Sequence, residues 1–116
     1  MWEHVEERFR QIDKEEGVDT RCESTDDVKS ARATPAIQAA IREAAESAGL
    51  ASVDLPSFAG QDSQNIANIA PMGMIFVPSK DGISHSPREY SAPEDIANGA
   101  EVLYRAVLLL DRRLNP

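Results

Sequence analysis

The chain has 116 residues, 41% hydrophobic but only 5% aromatic, with 20 acidic against 12 basic side chains and a formal charge of −8. That length bounds it to one domain or part of one, with a core built from aliphatic and alanine packing. The negative field disfavours nucleic acid and anionic lipid as partners, no apolar run approaches the roughly 20 residues of a membrane span, and the start lacks a signal-peptide pattern, so the cytoplasm is the default.

Glu3 to Glu16 predicts a charged helix with Val5, Phe9 and Ile12 on one stripe, ended by Gly17. Val18 to Ser24 alternates with period two and predicts a strand wet on one face, in which Cys22 is half-buried. As the one cysteine of the chain, with no histidine near it in sequence, Cys22 excludes an internal disulfide and is a poor nucleophile candidate. Thr25 to Ala33 is polar and aperiodic, a linker. Thr34 and Pro35 then predict a helix start, Thr34 as cap and Pro35 at the first helical position. Ile37, Ala40, Ile41, Ala44, Ala45 and Ala48 form its apolar stripe, and Gly49 closes it.

Ala51 to Leu55 predicts a short strand, and Asp62 caps a short helix running to about Ile69. Met72 to Val77 is a continuous apolar run stopped by Pro78, the pattern of a strand covered on both faces. Strand, short helix and strand together predict a right-handed crossover unit, hence an α/β fold. Ser91 and Glu94 have capping-box spacing before a last helix whose stripe is Ile96, Ala100, Leu103, Val107 and Leu110.

Two polar loops follow the last two predicted strands, Leu55 to Asn65 and Pro78 to Tyr90, where open α/β sheets bind ligands. His85 is the histidine in the more promising context. A neutral imidazole there could hold a metal through one ring nitrogen while a neighbour orients the other. The alternative reading is a loop histidine that hydrogen-bonds backbone or caps the next helix.

The segment Gly82-Ile83-Ser84-His85-Ser86-Pro87-Arg88-Glu89-Tyr90, running into Pro93-Glu94-Asp95-Ile96-Ala97-Asn98-Gly99-Ala100, resembles the C-terminal signature of the hydantoinase/carbamoylase family. These metal-dependent amidohydrolases include N-carbamoyl-L-amino-acid hydrolases, allantoate amidohydrolases and beta-ureidopropionases. Met74 to Ser79 is similar to the strand before that signature. Leu55 to Asn65 resembles the family's Ser-Gly-Ala-Gly-His-Asp-Ala loop, and the spacing of the two loops agrees. The likeness runs from about Thr34 to Asp111.

The resemblance implies a metallopeptidase-like α/β catalytic domain with an inserted lid that also mediates dimerisation. Residues 1–25 would be the closing helix and strand of the lid, 26–33 a linker, and 34–116 the C-terminal part of the catalytic domain. It implies hydrolysis of N-carbamoyl or ureido amides with zinc, manganese or cobalt. His85 would be a metal ligand, and Gly60, Gln61 and Asn65 would meet a small amide substrate. Two positions depart from the family: Gln61 stands where it has histidine, and Phe58 where it has the first glycine. A glutamine donates a hydrogen bond but carries no charge, and Phe58 would crowd a loop that glycine keeps slim. Most metal ligands of the family lie upstream of this stretch, so the chain is expected to bind no metal specifically and to be inactive alone. The alternative is a non-catalytic module derived from the family that associates with itself, and a homodimer is expected.

Overall fold

The computed structural model describes residues 2–23, 25 and 28–115. Ser24 of the predicted strand and Asp26 and Asp27 of the predicted linker lie outside the described residues, as do the terminal Met1 and Pro116. Among the described residues four α-helices follow one another: α1 (Trp2–Glu16), α2 (Pro35–Ser47), α3 (Asp62–Ile66) and α4 (Pro93–Leu114), with a 3₁₀ turn at Lys80–Gly82. None is long and apolar enough to cross a membrane.

The α/β expectation is overturned: there is no strand among the described residues. At Val18 to Glu23 the reason is local. Gly17 takes φ 65° and stops α1, and Asp13 Oδ1 then accepts hydrogen bonds from Thr20 N at 3.0 Å and Thr20 Oγ1 at 2.7 Å. The chain is thereby tied to the end of the helix instead of being free to pair. Cys22 is exposed there rather than half-buried. Ala51 to Leu55 is likewise irregular, with Val53 and Leu55 exposed.

Met72 to Ile75 is half-buried, with Phe76 and Val77 exposed, for a different reason. An apolar run reports burial, and burial alone does not distinguish a paired strand from a segment laid on helices. Here the cover comes from α2 and α4. Ile75 packs on the cluster of Ala44, Ala45, Val102 and Ala106. A Cβ on Gly73 would collide with Ile37, and one on Gly99 would collide with Val77, so two glycines set how closely segment and helices approach. The segment's backbone link runs to Thr34: Thr34 N donates to Met72 O at 2.7 Å, and Thr34 Oγ1 accepts from Met72 N at 3.0 Å. Thr34 is therefore the N-cap by position, but its hydroxyl serves Met72 rather than α2.

Among the described residues α2 and α4 are the only two helices in contact. Their shared face is made of small side chains, Ala44 and Ala45 against Val102 and Ala106, all buried. Leu50 N donates to Ala45 O and Gly49 N to Glu46 O, both at 2.9 Å, with Gly49 at φ 71°. This Schellman-type ending satisfies the last carbonyls of α2. Arg105 adds a clamp, donating to Ser47 O at 2.9 Å and to Glu101 Oε1 at 2.7 Å, and Arg113 reaches Glu43. The predicted Ser91–Glu94 box is absent: Ala92 is the N-cap of α4, without a side-chain cap bond. Glu94 and Asp95 still lie in its first turn and Arg112 and Arg113 in its last, which suits the helix dipole.

Candidate functional site

The first loop is organised around Gln61. It caps α3 where Asp62 was predicted to, Asp62 being the first helical residue. Gln61 N donates to Gln64 Oε1 and Gln64 N donates to Gln61 O, both at 3.0 Å. The Gln61 amide group, the part that replaces an imidazole in the resemblance, donates from Nε2 to Ser57 Oγ at 2.8 Å. Phe58 is 97% exposed and crowds nothing, contrary to expectation. A Cβ on Gly60 would meet Gln64 Oε1 at an ordinary 3.6 Å, so glycine is not sterically demanded there. Asn65 lies exposed on α3.

Gln61 lines a cavity of about 960 Å³ between the α2–α4 pair and the non-helical stretches 30–33, 50–61 and 72–78. Met74, Phe76, Asn98 and Val102 contribute to its wall, and Arg42 and Asp54 form an ion pair of 2.6 Å at it. The volume suits a small organic ligand, and a mostly apolar wall with a few convergent polar groups is the usual composition of such sites. Of the four residues singled out in the sequence, only Gln61 borders this space; Gly60, Asn65 and His85 do not.

The second loop closes on itself. Lys80 N donates to Tyr90 O at 2.8 Å, and Ser79 Oγ donates to Ile83 O at 2.5 Å. Inside that ring two non-glycine residues take left-handed backbone, Asp81 at φ 57° and His85 at φ 55°. Asp and His enter this region more readily than most residues, but it still costs about 1 kcal/mol or more. At His85 the conformation is held by Glu89, whose Oε2 accepts from His85 N at 2.7 Å. The imidazole Nδ1 lies 2.8 Å from Ser84 Oγ, and the ring is exposed. Ser84 and Glu89 stand in the quoted signature but received no role from the sequence. The available signal was polar residues next to the histidine and four positions beyond it.

His85 suits one position of a divalent-metal site, a neutral ring nitrogen with the other nitrogen hydrogen-bonded. The remainder of a site is not at hand. Among the described residues no group of three His, Cys, Asp or Glu side chains is placed to hold an ion, whereas a catalytic zinc takes three protein ligands.

Peptidase family M20/M25/M40 matches residues 11–109. An N-carbamoyl-L-amino acid amidohydrolase of Geobacillus stearothermophilus is 39% identical over 92% of the chain and 26% of its own length. A ureidoglycolate hydrolase of Arabidopsis thaliana is 52% identical over 53% of the chain and 13% of its own length. An allantoate amidohydrolase of Bacillus subtilis is 39% identical over 58% of the chain and 16% of its own length. The chain thus spans about a quarter or less of these relatives.

Proposed function

Since the chain belongs to peptidase family M20/M25/M40, on the side of the N-carbamoyl-amino-acid and allantoate amidohydrolases, we propose that residues 34–116 form the closing part of a metal-dependent hydrolase of N-carbamoyl or ureido amides. Residues 1–25 would be the end of its lid, with α1 as the lid helix, and 26–33 the linker. The observation that carries this reading is His85, exposed at the tip of a closed loop with one ring nitrogen occupied by Ser84.

In this reading His85 supplies one ligand, and the other donors come from polypeptide of the kind the relatives carry beyond the matched stretch. A divalent ion, zinc or manganese or cobalt, would polarise the amide carbonyl and acidify the attacking water. Gln61, with Gly60 and Asn65 beside it, would face the substrate. Its amide can donate a hydrogen bond to charge developing on the carbonyl oxygen, but without a charge of its own and in competition with Ser57. Weakening such a donor costs about 10²–10³ in turnover. Alone, the chain would not hydrolyse these amides.

A chimera tests this. Residues 34–116 would replace the corresponding stretch of the Geobacillus relative, and hydrolysis of an N-carbamoyl-L-amino acid and bound metal would be measured. The chimera is expected to bind metal, to turn over about 10²–10³ more slowly than its parent, and to recover with Gln61→His. His85→Ala should remove metal. A folded chimera that takes up no metal would refute the proposal.

Self-association is the second reading, favoured by one observation. Ile96, Leu103 and Val107 of the α4 stripe are each more than half exposed, and an apolar stripe of this kind is a usual place for a second copy to dock.

A further inference from the structure

We propose that Ala51 to Gly60 is a strap that closes the cavity over a small, uncharged, largely apolar molecule, with the Arg42–Asp54 ion pair as its latch. The segment is anchored at both ends. Leu50 N donates to Ala45 O at 2.9 Å, and the Leu50 side chain packs on the α2–α4 cluster. At the other end Gln61 is held by its reciprocal bonds with Gln64. Between these anchors every residue is exposed. Ser57 bonds only within the loop, to Ala59 O and Gln61. Among the described residues one hydrogen bond joins the span to a helix outside it: Arg42 Nη1 of α2 donates to Asp54 Oδ2 at 2.6 Å.

Apolar packing does not hold the strap shut. Val53 and Leu55 line the cavity yet are 74% and 62% exposed, and Phe76, on another part of the wall, is 50% exposed. A molecule that fills the space takes this surface out of water, with a gain that grows with the apolar area covered. The charged side chains at the wall balance, Arg32 and Arg42 against Asp54 and Asp95, which favours a ligand without charge. The latch itself is weak. Its partners are 50% and 63% exposed, so the pair contributes little and salt screens it. A span fixed at its ends and loosely tied in the middle opens and recloses without unfolding α2 or α4, and a molecule bound beneath it shifts the balance toward the closed form. The inference concerns the wall of the cavity and does not depend on His85 or on a metal.

Titration of the 116-residue chain with N-phenylnaphthylamine, an uncharged dye that brightens in apolar surroundings, tests this. The dye should bind, and Arg42→Ala should weaken binding by about twofold to fivefold, the range of an exposed ion pair. Arg42→Asp combined with Asp54→Arg should regain most of that loss. The ratio between wild type and Arg42→Ala should fall toward one in about 1 M salt, where screening acts within about 3 Å. Phe76→Glu puts a charge into the wall and should abolish binding, whereas Leu103→Glu, outside the cavity, should leave it unchanged. Circular dichroism establishes that each variant keeps its helices. A wild-type chain that binds no dye, affinity indifferent to Arg42→Ala, a charge exchange that restores nothing, or binding that survives Phe76→Glu overturns the proposal.

Discussion

Replacing Gly99 with alanine separates two opposing effects that the structure places at one position. Gly99 lies in the interior of α4, where alanine is favoured over glycine by about 0.8–1 kcal/mol. Its Cβ position is already taken by Val77 Cγ1, so the new methyl must push the Met72 to Val77 segment off the helix pair. Overpacking of this kind costs about 1–3 kcal/mol. Taking about 2 against about 1, Gly99→Ala should destabilise the chain by roughly 1 kcal/mol. With Val77→Ala as background the obstruction is gone, and the same substitution should stabilise by nearly the full propensity gain, about 0.8–1 kcal/mol. Urea unfolding followed by far-ultraviolet circular dichroism, with slopes compared to confirm that the same transition is observed, gives all four corners of the cycle. The sign change is the test. If Gly99→Ala stabilises the wild-type chain as much as it does the Val77→Ala chain, the segment does not rest on α4 and the packing described above is wrong.

Three further outcomes follow from the same geometry. Arg105→Ala removes the clamp on Ser47 O and the pair with Glu101; with a side chain 39% exposed, its loss should cost about 0.5–1 kcal/mol in urea unfolding, and a loss above about 3 would mean that it secures more than a helix end. Light scattering should find a homodimer that Leu103→Glu and Val107→Glu convert to monomer with helicity intact, and a wild-type monomer at every concentration would refute association through α4. Zinc added to the chain and removed by gel filtration should not remain in stoichiometric amount; tight one-to-one zinc that is lost in His85→Ala would show that the chain completes a site by itself.

The helices were the legible part of the fold. The stripe of α2 and the stops at Gly17 and Gly49 follow from a period and a left-handed glycine, both properties of local sequence, whereas the expected stripe of α4 is not its packed face: Ile96, Leu103 and Val107 are exposed, and Val102 and Ala106 are buried instead. What failed depended on partners. Met72 to Val77 has the composition of a buried strand, but a strand is defined by a ladder of backbone bonds, and here the run is covered by side chains of α2 and α4. Thr34 and Ser91 are good capping residues by type; Thr34 found Met72 instead, and α4 starts at Pro93 with Ala92 as its cap. In the candidate site, a long motif singled out His85 and the two loops, and of the four residues chosen there only Gln61 borders the cavity. Ser84 and Glu89 were not given roles, because their hydrogen bonds exist only once His85 adopts a left-handed backbone that no pattern of residue types announces.

The two loops differ in how much they depend on the rest of the molecule, and this bears on what the chain can retain. Every hydrogen bond that shapes Ser79 to Tyr90 joins residues at most 11 positions apart. The presentation of His85 is therefore a local property, paid for within its own ring. The Gln61 loop is tied in part to distant chain, through Gln64 Nε2 to Lys29 O at 3.4 Å and Ser63 Oγ to Met74 Sδ at 3.8 Å. The cavity that Gln61 borders also needs α2, α4 and the stretches 30–33 and 72–78 as walls. Loss or rearrangement of surrounding polypeptide would thus disturb the Gln61 loop before the His85 loop. A loop that keeps its imidazole set without a complete site is consistent with a ligand prepared for donors contributed from elsewhere.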